Sequence, residues 1–340
     1  MNDRTIKLKD IARILSVSES TVSRALRDHP RISEATRERV KKLAEQLDYT
    51  PNQVARNLQN RHMNAIGVVV PKLSYYLYAQ AISGMEEVAE QLGYNIIICQ
   101  SNESASREKA IVQELLSTRI AGFIISLSSA TVDFEHFAKI KRRNVPLVFF
   151  NRECEDIHTD RVIIDNFGVA KQAVELLLER GCRRIAFFGG PAEVQISNRR
   201  FEGYRAALLA HGQSIIPRHV VHTEFNPESA YHAANELLSS TSPPDAILAF
   251  SDQFAYTLYR RARELGISIP KELMLIGFNN EPATALLLPA LSTVDQPAYE
   301  MGKTAAEILF QQIQRPNDYY RAQTKILQSR LVLRESTRRS

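Results

Sequence analysis

The spacing of apolar residues changes once along this chain, and the change separates two kinds of fold. Through residue 59, apolar residues recur only at helical intervals; from Ile66 onward, short apolar runs alternate with longer amphipathic stretches. The runs 66–70, 95–99, 122–126 and 146–150 read as one series of strands. A second series is 162–165, 184–188, 220–223, 246–249 and 273–278. Between them, 79–92, 106–117, 168–180, 199–211, 227–239 and 254–265 carry helical periodicity. Strand–helix alternation implies parallel sheets with helices on both faces. Two series imply two doubly wound α/β lobes, with the break near Asp165.

The segment 8–47 has a different logic. Leu8, Ile11, Ala12 and Leu15 fall on one helix face. Ser16-Val17 makes a turn, and Ser18 suits the N-cap of a second helix in which Val22, Ala25 and Leu26 point inward. Glu19, Ser20, Arg24 and Arg27 then point outward. After His29-Pro30 breaks the run, Ser33 caps a third helix with Val40, Leu43, Ala44 and Leu47 inward. Three short helices with a free polar face on the second describe an all-α helix-turn-helix headpiece. Charge agrees. Residues 1–61 hold 13 Lys and Arg against 8 Asp and Glu, and the chain totals of 43 and 38 leave 30 of each for the remainder. A basic module on a neutral body suits phosphate contact, and its periodicity argues against a merely solubilising tail.

In that geometry the start of the second helix meets base edges in a major groove. Glu19, Ser20 and Arg24 are the base-reading candidates, with Arg24 suited to a bidentate bond to guanine. Ser18, Thr21, Ser23, Ser33 and Thr36 are phosphate candidates, although each serine also makes sense as a plain cap. Beyond them lies Tyr49-Thr50-Pro51-Asn52-Gln53-Val54-Ala55-Arg56-Asn57-Leu58-Gln59, a helix-prone tether. Its stripe of Val54, Ala55 and Leu58 spans two turns, too few to persist without a partner. Periodicity leaves two readings open: Leu58 as a minor-groove wedge, or a linker helix docked on the body.

The string Asp10-Ile11-Ala12, Val17-Ser18, Thr21-Val22-Ser23-Arg24, then Tyr49-x-Pro51-Asn52-x-x-Ala55-Arg56-x-Leu58 resembles the lactose-repressor (LacI/GalR-type) family of bacterial transcription regulators. The likeness runs through nearly the whole chain. It implies a headpiece over 1–50, a hinge helix and linker over 51–62, and a periplasmic-binding-protein-like core whose chain crosses between lobes three times. By that likeness the first lobe is 63–163 plus 295–323, and the second is 164–292 plus 324–336. It also implies that Leu58 intercalates in double-stranded operator DNA when two subunits pair, with Asn52 on phosphate. The tail after residue 330 is too short for the helical repeat of the family's tetramers, so a homodimer on a pseudo-palindromic operator is expected.

Ligands of open α/β sheets bind beyond the carboxyl ends of the strands. The residues there are Tyr75, Tyr76, Tyr78, Ser126, Asn151 and its neighbour Arg152. In the second series they are Asp165 with Asn166, Arg200, Phe225, Ser251, Asp252 and Asn279. Arg200-x-x-Gly203-Tyr204 and Ile276-Gly277-Phe278-Asn279 match motifs of the family, whose arginine bonds ligand hydroxyls or carboxylates. Aromatic faces beside planar polar groups suit a sugar. Family members often carry aspartate where this chain has Asn279, and Asn151 occupies another commonly acidic position. The cleft is therefore expected to be less acidic than usual, favouring a sugar phosphate or sugar acid. The alternative is that asparagine simply bonds hydroxyls as aspartate does.

Other functions fit less well. Phe188-Gly189-Gly190-Pro191 follows a strand but lacks GxGxxG and GxxxxGK[ST], and neither HExxH nor GxSxG occurs. Cys99, Cys154 and Cys182 have no metal or disulfide spacing. No metal, cofactor or membrane partner is expected, since no apolar run nears the ~20 residues of a membrane span. The N-terminus has no signal-peptide core, and a cytoplasmic location follows as the expectation. The runner-up is a sugar-utilising enzyme fused to a DNA-binding headpiece, which would consume the small molecule it binds.

Overall fold

The computed structural model describes residues 6–49, 63–315 and 321–338. The chain divides into two compact units at Met63/Asn64. The first contains α1 (Leu8–Ile14), α2 (Glu19–Ala25) and α3 (Glu34–Gln46). Its small core is Ile11, Ala12, Val22, Ala25, Val40 and Ala44, and the other residues that the helical spacing places inward, Leu8, Leu15, Leu26, Leu43 and Leu47, pack partly buried against it. Ser16 turns the chain at φ 54°. Ser18 Oγ then accepts from the Thr21 amide at 3.1 Å, and Ser33 Oγ from that of Thr36 at 3.4 Å. Each hydroxyl satisfies an amide that the first helical turn leaves free.

The second unit is two lobes of like topology. The first begins with β1 (Ala65–Val70), α4 (Tyr76–Gln91), β2 (Asn95–Gln100) and α5 (Ala105–Ser117). It continues with β3 (Phe123–Ile125), α6 (Glu135–Arg142), β4 (Leu147–Phe150) and β5 (Asp160–Ile164). The second lobe runs α7 (Asn166–Glu179), β6 (Ile185–Gly189), α8 (Gln195–Ala210), β7 (Val220–His222) and α9 (Pro227–Leu238). After these come β8 (Ala246–Ala249), α10 (Asp252–Glu264), β9 (Met274–Phe278) and β10 (Ser292–Asp295). Three last elements return: α11 (Ala298–Gln314), β11 (Thr324–Leu327) and β12 (Arg330–Val332). The sheets are ordered β2-β1-β3-β4-β5-β11 and β7-β6-β8-β9-β10-β12. All neighbouring strands are parallel except β12, which runs antiparallel to β10.

Three lobe assignments change. The run 162–165, read as opening the second series, lies through Ile164 in β5, which pairs with β4 in the first sheet. The segment 324–336 is divided: β11 extends the first sheet beside β5, and only β12 joins the second. The second lobe also continues past residue 292, because β10 pairs with β9 through Val294 and Phe278. Which sheet a strand joins is a long-range choice, invisible to local period. Close helix seams hold each lobe. α11 packs on α4 where Gly302 meets Ala81 and Gly84 meets Tyr299, and a Cβ on either glycine would strike backbone carbonyl oxygen. In the second lobe Gly203 of α8 lies as close to the Phe167 carbonyl of α7. That contact explains the glycine of the Arg-x-x-Gly-aromatic motif.

Candidate functional site

On the headpiece, burying Val22 and Ala25 turns Glu19, Ser20, Arg24 and Arg27 outward, and all four are exposed. Ser18 and Ser33 are exposed as well, while Thr21, Ser23 and Thr36 are half-buried. The Ser18 hydroxyl lies 2.8 Å from those of both Ser20 and Thr21, and Ser33 lies 2.8 Å from Thr36. These hydroxyls therefore cap helices while lying beside the exposed α2 face. Leu58 and Asn52 lie outside the described residues.

In the body, each sheet reverses its strand order once, between β1 and β3 and between β6 and β8, where ligands of open α/β sheets bind. A cleft of about 460 Å³ opens there, lined from both lobes. Eight expected residues line it: Tyr75, Tyr78, Asn151, Arg152, Arg200, Phe225, Ser251 and Asn279. The others do not. Tyr76 is half-buried and one residue further along α4, turned away from the wall that Tyr75 and Tyr78 share. Ser126 is fully buried behind Tyr78, 3.0 Å from its hydroxyl. Asp165 is exposed and caps α7 by accepting from the Gly168 amide at 2.8 Å. Asp252 is fully buried, accepting from the Glu281 amide at 2.8 Å and from the Thr293 hydroxyl at 2.6 Å. Burial pushes its carboxyl up to about 7 against those two hydrogen bonds. Its carboxylate sits over Gly277, where a Cβ would collide with it.

Arg200 is the most constrained side chain of the cleft, 2 % exposed. Nε donates to Asn166 Oδ1 at 2.8 Å and Nη1 to the Phe250 carbonyl at 2.5 Å. The guanidinium lies over the rings of Phe278 (3.8 Å) and Phe250 (4.7 Å). Burial, and then the positive charge of Arg152, brings its pKa down to about 9. From the first lobe, Arg152 Nη1 donates to Glu103 at 2.7 Å, and its guanidinium covers Phe225 at 4.9 Å. Both asparagines are already engaged. Asn151 Nδ2 donates to the Tyr78 hydroxyl at 3.2 Å, and Asn279 Oδ1 accepts from Gln296 at 2.6 Å. Their φ values, 58° and 109°, fall in the left-handed region, which asparagine enters more readily than most residues.

Sequence reasoning missed Lys72, Phe250, Phe254, Tyr256, Arg260, Glu281 and Gln296, which also line the cleft. Glu281 adds one carboxyl to a cleft expected to be less acidic than usual. It is 6 % exposed and accepts from Gln253 at 2.7 Å and from Tyr256 at 3.3 Å. Its position two residues past the Ile-Gly-Phe-Asn motif was the signal available for it, as was that of Phe250 directly after β8. Gln296 arrives through the return from β10, which no local pattern marks. The stacked pair Tyr75–Tyr78 (6.2 Å) and the cluster of Phe225, Phe250 and Phe254 offer apolar faces beside polar groups. That combination fits a small hydroxylated ring. Among the described residues, no three His, Cys, Asp or Glu side chains group as a metal site, and no helix is long and apolar enough to cross a membrane.

The comparisons agree with both halves of this structure. Residues 7–52 match the model of bacterial regulatory proteins of the lacI family, and residues 174–337 match that of the periplasmic binding protein-like domain. The HTH-type transcriptional repressor CytR of Escherichia coli (strain K12) is 31% identical over 331 residues, covering 97% of this chain and 96% of its own. The cellobiose complex of the transcriptional regulator CelR is 27% identical with TM-score 0.74, over 97% of this chain and 99% of that one. The Lac repressor bound to ONPG in the repressed state is 25% identical with TM-score 0.86, over 98% and 100%. With a polar helix-turn-helix face, two doubly wound lobes and relatives of this kind along nearly its full length, the chain belongs to the lacI family and is a DNA-binding transcriptional regulator, not an enzyme.

Proposed function

We propose that this regulator is a repressor of a carbohydrate-related operon, acting in the cytoplasm as a homodimer on a pseudo-palindromic operator. A small sugar-like effector in the interlobe cleft sets its affinity for DNA. The observation that carries the effector reading is a cleft wall with buried polar atoms still unsatisfied. Arg152 Nε and Gln296 Oε1 have no hydrogen-bond partner, and such groups are costly unless something fills their valence. The complex of CelR with cellobiose supports a sugar-like class. An effector that bonds both lobes favours one angle between them, and so shifts the population of the DNA-binding form.

On the DNA side, Glu19, Ser20 and Arg24 read bases, with Ser18, Thr21, Ser23, Ser33, Thr36 and Asn52 on phosphate, while Leu58 opens a minor-groove step. Operator binding by the purified full-length protein tests this. Arg24→Ala is expected to relax discrimination at one base pair per half-site by about 1–3 kcal/mol. Leu58→Ala should weaken specific binding far more than non-specific binding, and equal losses in both would remove the wedge. An added effector should change operator affinity and be recovered unaltered; its consumption would favour the enzyme reading.

A further inference from the structure

Two buried guanidiniums reach the same cleft from opposite lobes. Arg152 and Arg200 are each more than nine-tenths buried and both line the wall. Glu103 and the Leu127 carbonyl hold Arg152 Nη1, leaving Nε unpartnered. Arg200 has no acidic partner, since its bonds go to the Asn166 amide oxygen and the Phe250 carbonyl. Lys72, on the same wall, reaches only the Phe225 carbonyl at 3.4 Å and the face of Tyr75. Of the remaining lining charges, Arg260 pairs with Glu264, and Glu281 is held in place by hydrogen bonds from Gln253 and Tyr256. A buried cation without a counter-ion is expensive. Arg200 is such a cation, and Arg152, although paired with Glu103, adds a second positive charge that repels it and opposes approach of the lobes until an anion enters.

We propose that the effector is an anionic sugar derivative whose phosphate or carboxylate lies between Arg152 of the first lobe and Arg200 of the second. Lys72 adds a third positive charge. The anion bonds both guanidiniums and cancels their repulsion, so its arrival draws the lobes together. This rests on the effector reading above, and it narrows the ligand class from sugars in general to those carrying charge.

The test uses full-length protein melted in inorganic phosphate and in chloride at matched ionic strength, beside Arg152→Gln and Arg200→Lys. Phosphate is expected to raise the melting temperature of the native protein by about 3 °C. Arg152→Gln should lose that rise. Arg200→Lys, which keeps the charge but not the planar fork, should lose at least half of it. Each variant's own transition in chloride reports its folding, and if one fails to fold the other decides. No rise in the native protein, or a rise kept by the folded variants because phosphate binds elsewhere, overturns the proposal.

Titration with ribose against ribose 5-phosphate, and with glucose against gluconate and glucose 6-phosphate, then separates carboxylate from phosphate. The anionic member of a pair that binds is expected to do so at least about tenfold more tightly. Equal binding of its neutral partner overturns the proposal but leaves effector control intact. If no member binds, the phosphate melts alone decide. The underlying effector reading fails differently, through a bound sugar that leaves operator affinity unchanged.

Discussion

The two lobes of the body share one strand order, yet they close and line their halves of the cleft by different means. The first ends with the parallel β11 and presents the Tyr75–Tyr78 pair, with the Tyr78 hydroxyl fixed by Ser126 and Asn151. The second ends with the antiparallel β12 and presents phenylalanines around Arg200, backed by the buried carboxyl of Asp252. A common scaffold therefore leaves the chemistry to the residues at strand ends, where loops escape the packing constraints of the sheets. It also gives the first wall hydroxyl and amide groups beside Arg152, and the second phenylalanine faces around Arg200.

The helix seams give the largest expected contrast. In the first lobe, the nearest atoms to a Cβ on Gly302 are all backbone of Ala81, which cannot turn aside. In the second, a Cβ on Gly203 meets the Phe167 carbonyl and, less tightly, Ala170 and Lys171. Gly302→Ala is expected to cost about 3 kcal/mol and Gly203→Ala about 2 kcal/mol, read from urea midpoints. A reversed order would mean that the first-lobe seam is the more yielding.

The second difference is titratable. A carboxyl whose pKa is raised on folding stabilises the fold while protonated, and that contribution disappears as pH rises through the folded value. For Asp252 the window runs from its ordinary value of 3.8 to about 7. Native stability relative to Asp252→Asn should therefore fall between about pH 4 and pH 7, by at most about 4 kcal/mol. A difference that is flat with pH in paired denaturation curves would show that Thr293 and Glu281 keep the carboxylate charged.

The smallest effects separate wall from core. Tyr78→Phe removes contacts to Ser126 and Asn151, and Tyr204→Phe removes one hydrogen bond to the Ile185 carbonyl. Each should cost about 1 kcal/mol of stability. Only Tyr78→Phe should also change effector affinity, because it releases Asn151 at the cleft. Equal effector binding by both variants would take Tyr78 out of the site.

Much of this was legible in the chain. The helical spacing gave the headpiece core from Ile11 to Ala44 and the exposed face of Glu19, Ser20 and Arg24, because a short helix sorts its residues by local period. Strand ends and the Arg-x-x-Gly-aromatic motif gave eight cleft residues by the same local logic. Asp252 and Ser126 misled because a position after a strand reads the same whether its side chain enters the cleft or turns back to bond Thr293 or Tyr78.

The sequence by itself determined the elements, their class, the polar headpiece and the motifs at strand ends, all set by interactions among near neighbours. Only the tertiary structure decided which sheet receives β5, β10 and β11, and that Lys72, Glu281 and Gln296 join Arg152 and Arg200 in one cavity. Those choices depend on contacts between residues far apart in the chain, such as Ile164 with Leu327 or Asn279 with Gln296. Local period carries no trace of them, because their energy exists only once the lobes have closed upon themselves.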